Sequence, residues 1–279
     1  MKIITCQQLD DYSKHLTLDE KSKLTIEKYL RDIIAFKTFA DGCEITKEKV
    51  MEYKNKLIRD NYALRSINSM LASLNSFFDF MCWSDCKVKS LKIQQQIFCS
   101  EEKELTRSEY ERLCKTAERS HNERLKLILQ TICSTGIRVS ELRYITVEAV
   151  KKGFAQVNCK GKNRRIFIVK EHQKRLLAYI RDRHINSGSV FITRNGKPMD
   201  RSNIWREMKM LCKAANVFCE KVFPHNLRHL FARTFYKIEK DIAKLADILG
   251  HSSINTTRIY IVSTGFEHQK RMESMRLII

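Results

Sequence analysis

The stretch "LGHSSINTTRIY", Leu249 to Tyr260, carries the decision about this chain. A glycine and a histidine open a Ser-rich turn, and Tyr260 stands nine residues after His251. Two readings compete. In one, "DIAKLADILG" and "SSINTTRIY" form a helix-turn-helix whose second helix reads the major groove, and Tyr260 fills a core position. In the other, Tyr260 is a nucleophile and His251 is its chemical neighbour. The rest of the sequence has to choose between them.

Charge gives the first direction. Among 279 residues, Lys+Arg 52 against Asp+Glu 32 leaves a formal net charge of +20, which calls for a polyanionic partner. A membrane is the weaker choice. No apolar run approaches the roughly 18 residues of a spanning helix, and "MKIITCQQLDDYSK" lacks a secretory apolar region. Only two prolines and eight glycines favour long helices over a turn-dense β architecture. The ten cysteines are irregularly spaced, and Cys82 with Cys86 finds no second pair to complete a zinc tetrahedron. All ten read as reduced, structural thiols, implying a reducing cytoplasm, no metal and no cofactor.

Periodicity organises the chain into two parts. In "ALRSINSMLASLNSFFDFMCW", Ile67, Leu71, Leu74, Phe78 and Met81 recur at helical spacing and predict one apolar stripe. Ile26, Leu30, Ile33 and Ile34 predict a second stripe, and Val50, Tyr53 and Leu57 a third. Lysines and arginines occupy the other faces. The pattern breaks between Lys87 and Lys103, and Thr106 with Glu109 then reads as a capping box. The boundaries expected are a helical domain over 1–98, a linker over 99–105 and a second domain over 106–279, with a tail from 261. In the second domain, a helix through Leu125, Leu129 and Ile132 stops at Gly136, where another begins. Strands are expected at Phe154 to Asn158, Arg164 to Lys170 and Ser189 to Thr193, the first two as a hairpin with a basic tip. Ser202 is expected to cap the next helix, and Pro224 to open the one after it.

Four polar clusters interrupt this second domain: "TGIRVSEL" (Thr135 to Leu142), "CKGKNRR" (Cys159 to Arg165), "PHNLRH" (Pro224 to His229) and "LGHSSINTTRIY". Each alone is weak; Arg138 by itself is as readily a surface ion pair. Together they supply two arginines, a lysine, two or three histidines and a tyrosine, without a carboxylate cluster, a phosphate loop or a Cys or Ser nucleophile beside a base. Attack on a phosphodiester builds charge on its nonbridging oxygens, which planar guanidiniums clamp in pairs. A tyrosine can hold the phosphoryl group covalently once relieved of its proton, and an ammonium can protonate the departing alkoxide. Positioned cations then stand in for a divalent metal.

These clusters resemble the signature of the tyrosine recombinases, the phage integrase family, and especially its compact, Xer-like two-domain members. The motifs cover Thr106 to about Val262; the N-terminal part is similar only in length, helicity and charge. In the family, "TG-[LI]-R-x-S-E-L" carries the first catalytic arginine, here Arg138, with Glu141 as an accessory acid. "H-x-L-R-H" matches His225 and Arg228, and "L-G-H" followed by tyrosine matches His251 and the nucleophile Tyr260. The hairpin lysine departs from the pattern, because Cys159 replaces the glycine of "G-K-G-x-K". Lys160 aligns best as the general acid and Lys162 remains its rival. His229 reads as a structural helix residue.

The resemblance implies a mainly α, helical-bundle core-binding domain and an α+β catalytic domain with a small antiparallel sheet, closing as a clamp around the duplex. It leaves no room for the extra arm-binding domain of larger integrases. Double-stranded DNA with inverted-repeat core sites would be the partner, with a homotetramer spanning two sites, accessory DNA-bending proteins allowed and no membrane. Strands would exchange through 3′-phosphotyrosyl intermediates and a Holliday junction, for integration or excision of a mobile element, DNA inversion or dimer resolution. Competing readings are a type IB topoisomerase and a non-catalytic DNA-binding regulator. The tail, with Phe266, Met272, Met275, Ile278 and Ile279 on one face, is expected to dock on its own domain or on a neighbouring protomer.

Overall fold

The computed structural model describes residues 1–93, 103–159, 162–261 and 273–275. The chain divides into two compact units, Met1–Gln95 and Gln96–Ile279, each with its own core.

The first unit is built from α1 (Cys6–Leu18), α2 (Lys23–Ala40), α3 (Lys47–Arg59) and α4 (Leu64–Phe80). Hydroxyls start the first three helices: Thr5 in a capping box with Gln8, Ser22, and Thr46 each accept an orphan N–H of the first turn. The α4 stripe lies where its spacing puts it, with Ile67, Leu71, Leu74 and Phe78 fully buried and Met81 half-buried just past the helix end. Val50, Tyr53 and Leu57 face the same core from α3. The α2 stripe needs one correction. Ile34 is 49 % exposed, because it stands about 100° round the helix from Ile33, and Phe36 fills the core position instead.

The second unit runs through α5 (Arg107–Arg119), α6 (Glu123–Thr135), a 3-10 turn at Val139–Tyr144, α7 (Val147–Lys152), β1 (Phe154–Cys159), β2 (Lys162–Phe167) and α8 (Lys170–Asp182). It continues with α9 (Arg201–Ala215), α10 (Pro224–Glu239), α11 (Ile242–Leu249) and α12 (Ile254–Ile261). Thr106 and Glu109 form the reciprocal capping box of α5. The hairpin is antiparallel, with a register running from Phe154 opposite Phe167 to Cys159 opposite Lys162. β2 ends at Phe167 rather than Lys170, which already opens α8.

Two further expectations fail for local reasons. Ser189–Thr193 makes no third strand among the described residues. It forms isolated bridges, Ser189 to Thr146 and Ile192 to Pro198, and Pro198 has no N–H with which to extend a ladder. The cap of α9 is Asp200, which accepts the Asn203 N–H at 2.7 Å, and not Ser202. A carboxylate there also meets the positive end of the helix dipole. The thiols divide too: Cys86, Cys114 and Cys212 are buried, but Cys6, Cys43, Cys82 and Cys219 are exposed, so packing does not account for those four. No helix among the described residues is long and apolar enough to cross a membrane. Apart from Ile261 and residues 273–275, the tail lies outside the described residues.

α6 and α11 end alike, on glycines in the left-handed conformation: Gly136 at φ 63° and Gly250 at φ 65°. A Cβ on Gly136 would stand 2.4 Å from Cδ1 of Phe231, so both the backbone and the packing demand glycine. Gly136→Ala should therefore lower stability by at least ~1–2 kcal/mol from the backbone alone. The urea midpoint of the full chain reads it; an unchanged midpoint would contradict the assignment.

Candidate active site

The carbonyl ends of α6 and α11 gather the arginines. The last C=O groups of a helix have no partner within it and form the negative end of its dipole, so guanidiniums are natural occupants. Arg228, on the second turn of α10, is 1 % exposed. It donates to the Gly136 carbonyl from Nη1 and to the Leu249 carbonyl from Nη2 at 2.7 Å. Burial first, then the neighbouring Arg138, pulls its pKa down to about 10, which still leaves it charged at neutral pH. Its Nε–H has no hydrogen-bond partner among the described residues.

Arg138 caps the 3-10 turn at Val139–Tyr144. Its backbone N–H and Nη1 both donate to Glu141, at 2.9 and 3.0 Å, and Nη2 reaches the Gly250 carbonyl at 3.4 Å. Glu141 is 2 % exposed. Burial alone would raise its pKa, but the Arg138 N–H and the Arg164 and Arg138 guanidiniums together hold it below the usual carboxylate range. Arg164, on β2, donates to Glu141 from Nη2 and to the Ile248 carbonyl from Nη1. Its stem lies against Gly250, where a Cβ would stand 2.7 Å from Arg164 Cδ. Three successive carbonyls, Ile248, Leu249 and Gly250, thus receive Arg164, Arg228 and Arg138.

Around this frame stand three histidines and the tyrosine. Arg228 Nη2 lies 3.0 Å from His251 Nε2, and His251 Nδ1 lies 2.8 Å from the hydroxyl of the fully buried Thr257. Guanidinium only donates, so Nε2 accepts and the ring proton sits on Nδ1, facing Thr257. Burial, followed by Arg228, Arg138, Arg164 and His225, pushes the His251 pKa down to about 4. Tyr260, on α12, is 5 % exposed and packs on Ala232, Leu245 and Leu249. Its hydroxyl is 3.4 Å from His225 Nε2. The Tyr260 ring lies 5.5 Å from the ring of His225, 4.3 Å from His229 and 5.3 Å from His251. Burial, with Arg228, Arg138 and Arg201 behind it, lowers the His225 pKa. Among the described residues no group of three His, Cys, Asp or Glu side chains converges as a metal site.

Arg138, Glu141, His225, Arg228, His251 and Tyr260 therefore come from three separate stretches of sequence into one cluster. Lys160 lies outside the described residues, and Lys162 is placed only by its backbone, opposite Cys159. Two close neighbours were not singled out as site residues. His229, a helix residue of α10, brings the nearest of the three histidine rings to Tyr260. Arg164 sat inside the quoted "CKGKNRR" cluster, but a run of basic residues on a hairpin does not reveal which one turns inward.

The sequence matches the phage integrase family over residues 103–265 and the N-terminal SAM-like domain of phage integrases over residues 9–85. The chain belongs to the phage integrase family. It is 31 % identical to tyrosine recombinase XerA of Pyrococcus horikoshii, over 99 % of this chain and 96 % of that protein. It is 28 % identical to tyrosine recombinase XerD of Halalkalibacterium halodurans, over 86 % of this chain and 87 % of that one. Its fold is similar to a lambda integrase dimer bound to a COC′ core site, with TM-score 0.75 and 19 % identity over 92 % of this chain and 95 % of that one. XerH recombinase bound to difH substrate is similar at TM-score 0.71 and 18 % identity, over 96 % and 84 %. A helical N-terminal unit and a catalytic unit with a small sheet are the integrase architecture.

The second unit has a pH signature. His172, His229 and His251 are held near pKa 4, in each case by burial first. Unfolded, each would take a proton near 6.5. The unfolded state then binds more protons than the folded one between pH 6.5 and 4, so stability falls as pH falls through that window. The melting temperature should drop between pH 7 and 5, and His229→Gln should flatten part of the drop. A melting temperature that rises or stays level on acidification would contradict these buried, neutral histidines.

Proposed function

We propose that this protein cuts and rejoins DNA at specific sites, with Tyr260 as nucleophile. The observation that carries the reading is the Tyr260 hydroxyl 3.4 Å from His225 Nε2, beside Arg228 and His251. A neutral His225 is a proton acceptor, and its lowered pKa keeps it neutral below the usual histidine range. As the phenolic oxygen attacks phosphorus, its proton passes to His225, the bond from phosphorus to the 5′-oxygen breaks, and a 3′-phosphotyrosyl link forms. Arg138 and Arg228 stabilise the charge that builds on the nonbridging oxygens. His251, neutral, accepts from Arg228 through Nε2 and so holds that guanidinium in place.

The departing 5′-oxygen needs a proton, and the hairpin lysine supplies it. Lys160 is the first choice and Lys162 the second. Attack by the 5′-hydroxyl of a second strand reverses the sequence and restores the phosphodiester, so bond energy is kept and no nucleotide cofactor enters. Strand exchange through a Holliday junction requires four active sites on two duplexes, which we assign to a homotetramer at inverted-repeat core sites. The multimeric, DNA-bound integrase folds support this assembly. Its biological setting is the integration, excision or inversion of a DNA segment.

Tyr260→Phe keeps the ring in its pocket and removes only the hydroxyl. The denaturant-resistant adduct on a nicked suicide duplex should disappear while DNA binding persists, and the wild-type adduct should form in excess EDTA. An adduct formed by the Phe variant would displace Tyr260 as the nucleophile. A topoisomerase would relax supercoils without joining paired sites, and a regulator would give no adduct at all. The lysines separate in a second assay. Lys160→Ala should regain activity on a substrate with a 5′-thiolate leaving group, which departs without a proton; rescue of Lys162→Ala instead would move the role to Lys162.

A further inference from the structure

One of the three guanidiniums at the end of α11 has no part in the steps above. Arg164 reaches Glu141 and the Ile248 carbonyl at once, and so joins β2 to the 3-10 turn of Arg138 and to the end of α11. Its side chain is 12 % exposed, and that of Glu141 3 %. A surface ion pair contributes little and breaks easily, whereas a pair this buried leaves a naked charge when one partner is removed. The division of the carboxylate matters. Oε2 takes Arg164 and the Arg138 backbone N–H, which leaves Oε1 as the single side-chain contact of Glu141 with Arg138.

We propose that Arg164 is a positioning residue, which shares the Glu141 carboxylate with Arg138 and thereby fixes the guanidinium that receives the phosphate. It acts through Glu141 and touches no substrate. Without Arg164, Oε2 loses its charged partner, and the carboxylate either turns fully onto Arg138 or takes up a proton. In both cases the orientation of Arg138 changes. The charged groups around this carboxylate are Arg138 from its own turn and Arg164 from β2, with Arg228 of α10 and the neutral, titratable His251 after α11 beyond them. Every one is basic, so Arg164 cannot be removed without raising the Glu141 pKa.

The inference rests on the proposed DNA cleavage for one readout and not for the other. The first is single-turnover adduct formation by the full chain on a nicked suicide duplex, from pH 5 to 8, with the Kd for the duplex measured alongside. Arg164→Met should slow adduct formation on the order of tenfold at pH 7, the scale of losing a supporting partner, with Kd unchanged. Its acid limb should move to higher pH, and Arg164→Lys, which keeps the charge, should return the limb. The second readout is melting temperature against pH, for which no activity is needed. A depressed carboxylate pKa contributes stability that is lost as pH falls through it, so the acid loss should set in at higher pH in Arg164→Met. If that variant does not fold, Arg164→Gln, which keeps donors without charge, should show the same displacement. Equal losses in the Met and Lys variants at every pH, with neither limb displaced, would reduce Arg164 to packing and overturn the proposal. Absence of adduct from the wild type, with the melting displacement intact, would instead overturn the proposed function alone.

Discussion

Three positive charges in one small volume repel one another, and this site exists because a helix end absorbs them. The carbonyls of Ile248, Leu249 and Gly250 close α11 without intrahelical partners, and each receives a guanidinium from a different part of the chain. Gly136 repeats the device at the end of α6, giving Arg228 a second carbonyl. Glu141 adds a buried carboxylate beside Arg138 and Arg164. Neutral dipoles and this anion thus hold the arginines in place without cancelling their charge, which a ring of carboxylates would do.

The two glycines follow from the same constraint. A helix that must present its last carbonyls to bulky side chains has to turn away sharply, and a left-handed glycine does this with no Cβ in the way. At Gly250 the space is taken by Arg164, and at Gly136 by Phe231. Much of the second unit serves this purpose: α10 carries Arg228 under the α6 end, and the hairpin brings Arg164 to the α11 end.

Local signals were readable from the sequence. The capping box at Thr106, the stop at Gly136, the start at Pro224 and the buried α4 stripe each depend on a few neighbouring residues, and each is found in place. The motifs also singled out most of the residues that converge, since Arg138, His225, Arg228, His251 and Tyr260 share one cluster. What failed depended on tertiary detail. Ile34 differs from Ile33 only by one step round the helix, and Asp200 took a cap that Ser202 was equally equipped to supply by residue type. Ser189–Thr193 has a strand's composition but meets a proline and a turn where a ladder would need strands. Arg164 and Arg165 are the same residue in adjacent positions, and only the hairpin register sends one of them to Glu141.

Helix α12 carries two residues of unequal fame within the site. Tyr260 lies among the histidine rings, and Thr257, one turn earlier, accepts the Nδ1 proton of His251 and so fixes which nitrogen of that ring faces Arg228. Both ride on one short rod of eight residues. If α12 leaves its seat, the phenol departs and the imidazole loses its tautomer lock in the same motion. The seating of this one helix therefore governs the phenol and the imidazole together, as a single mechanical unit.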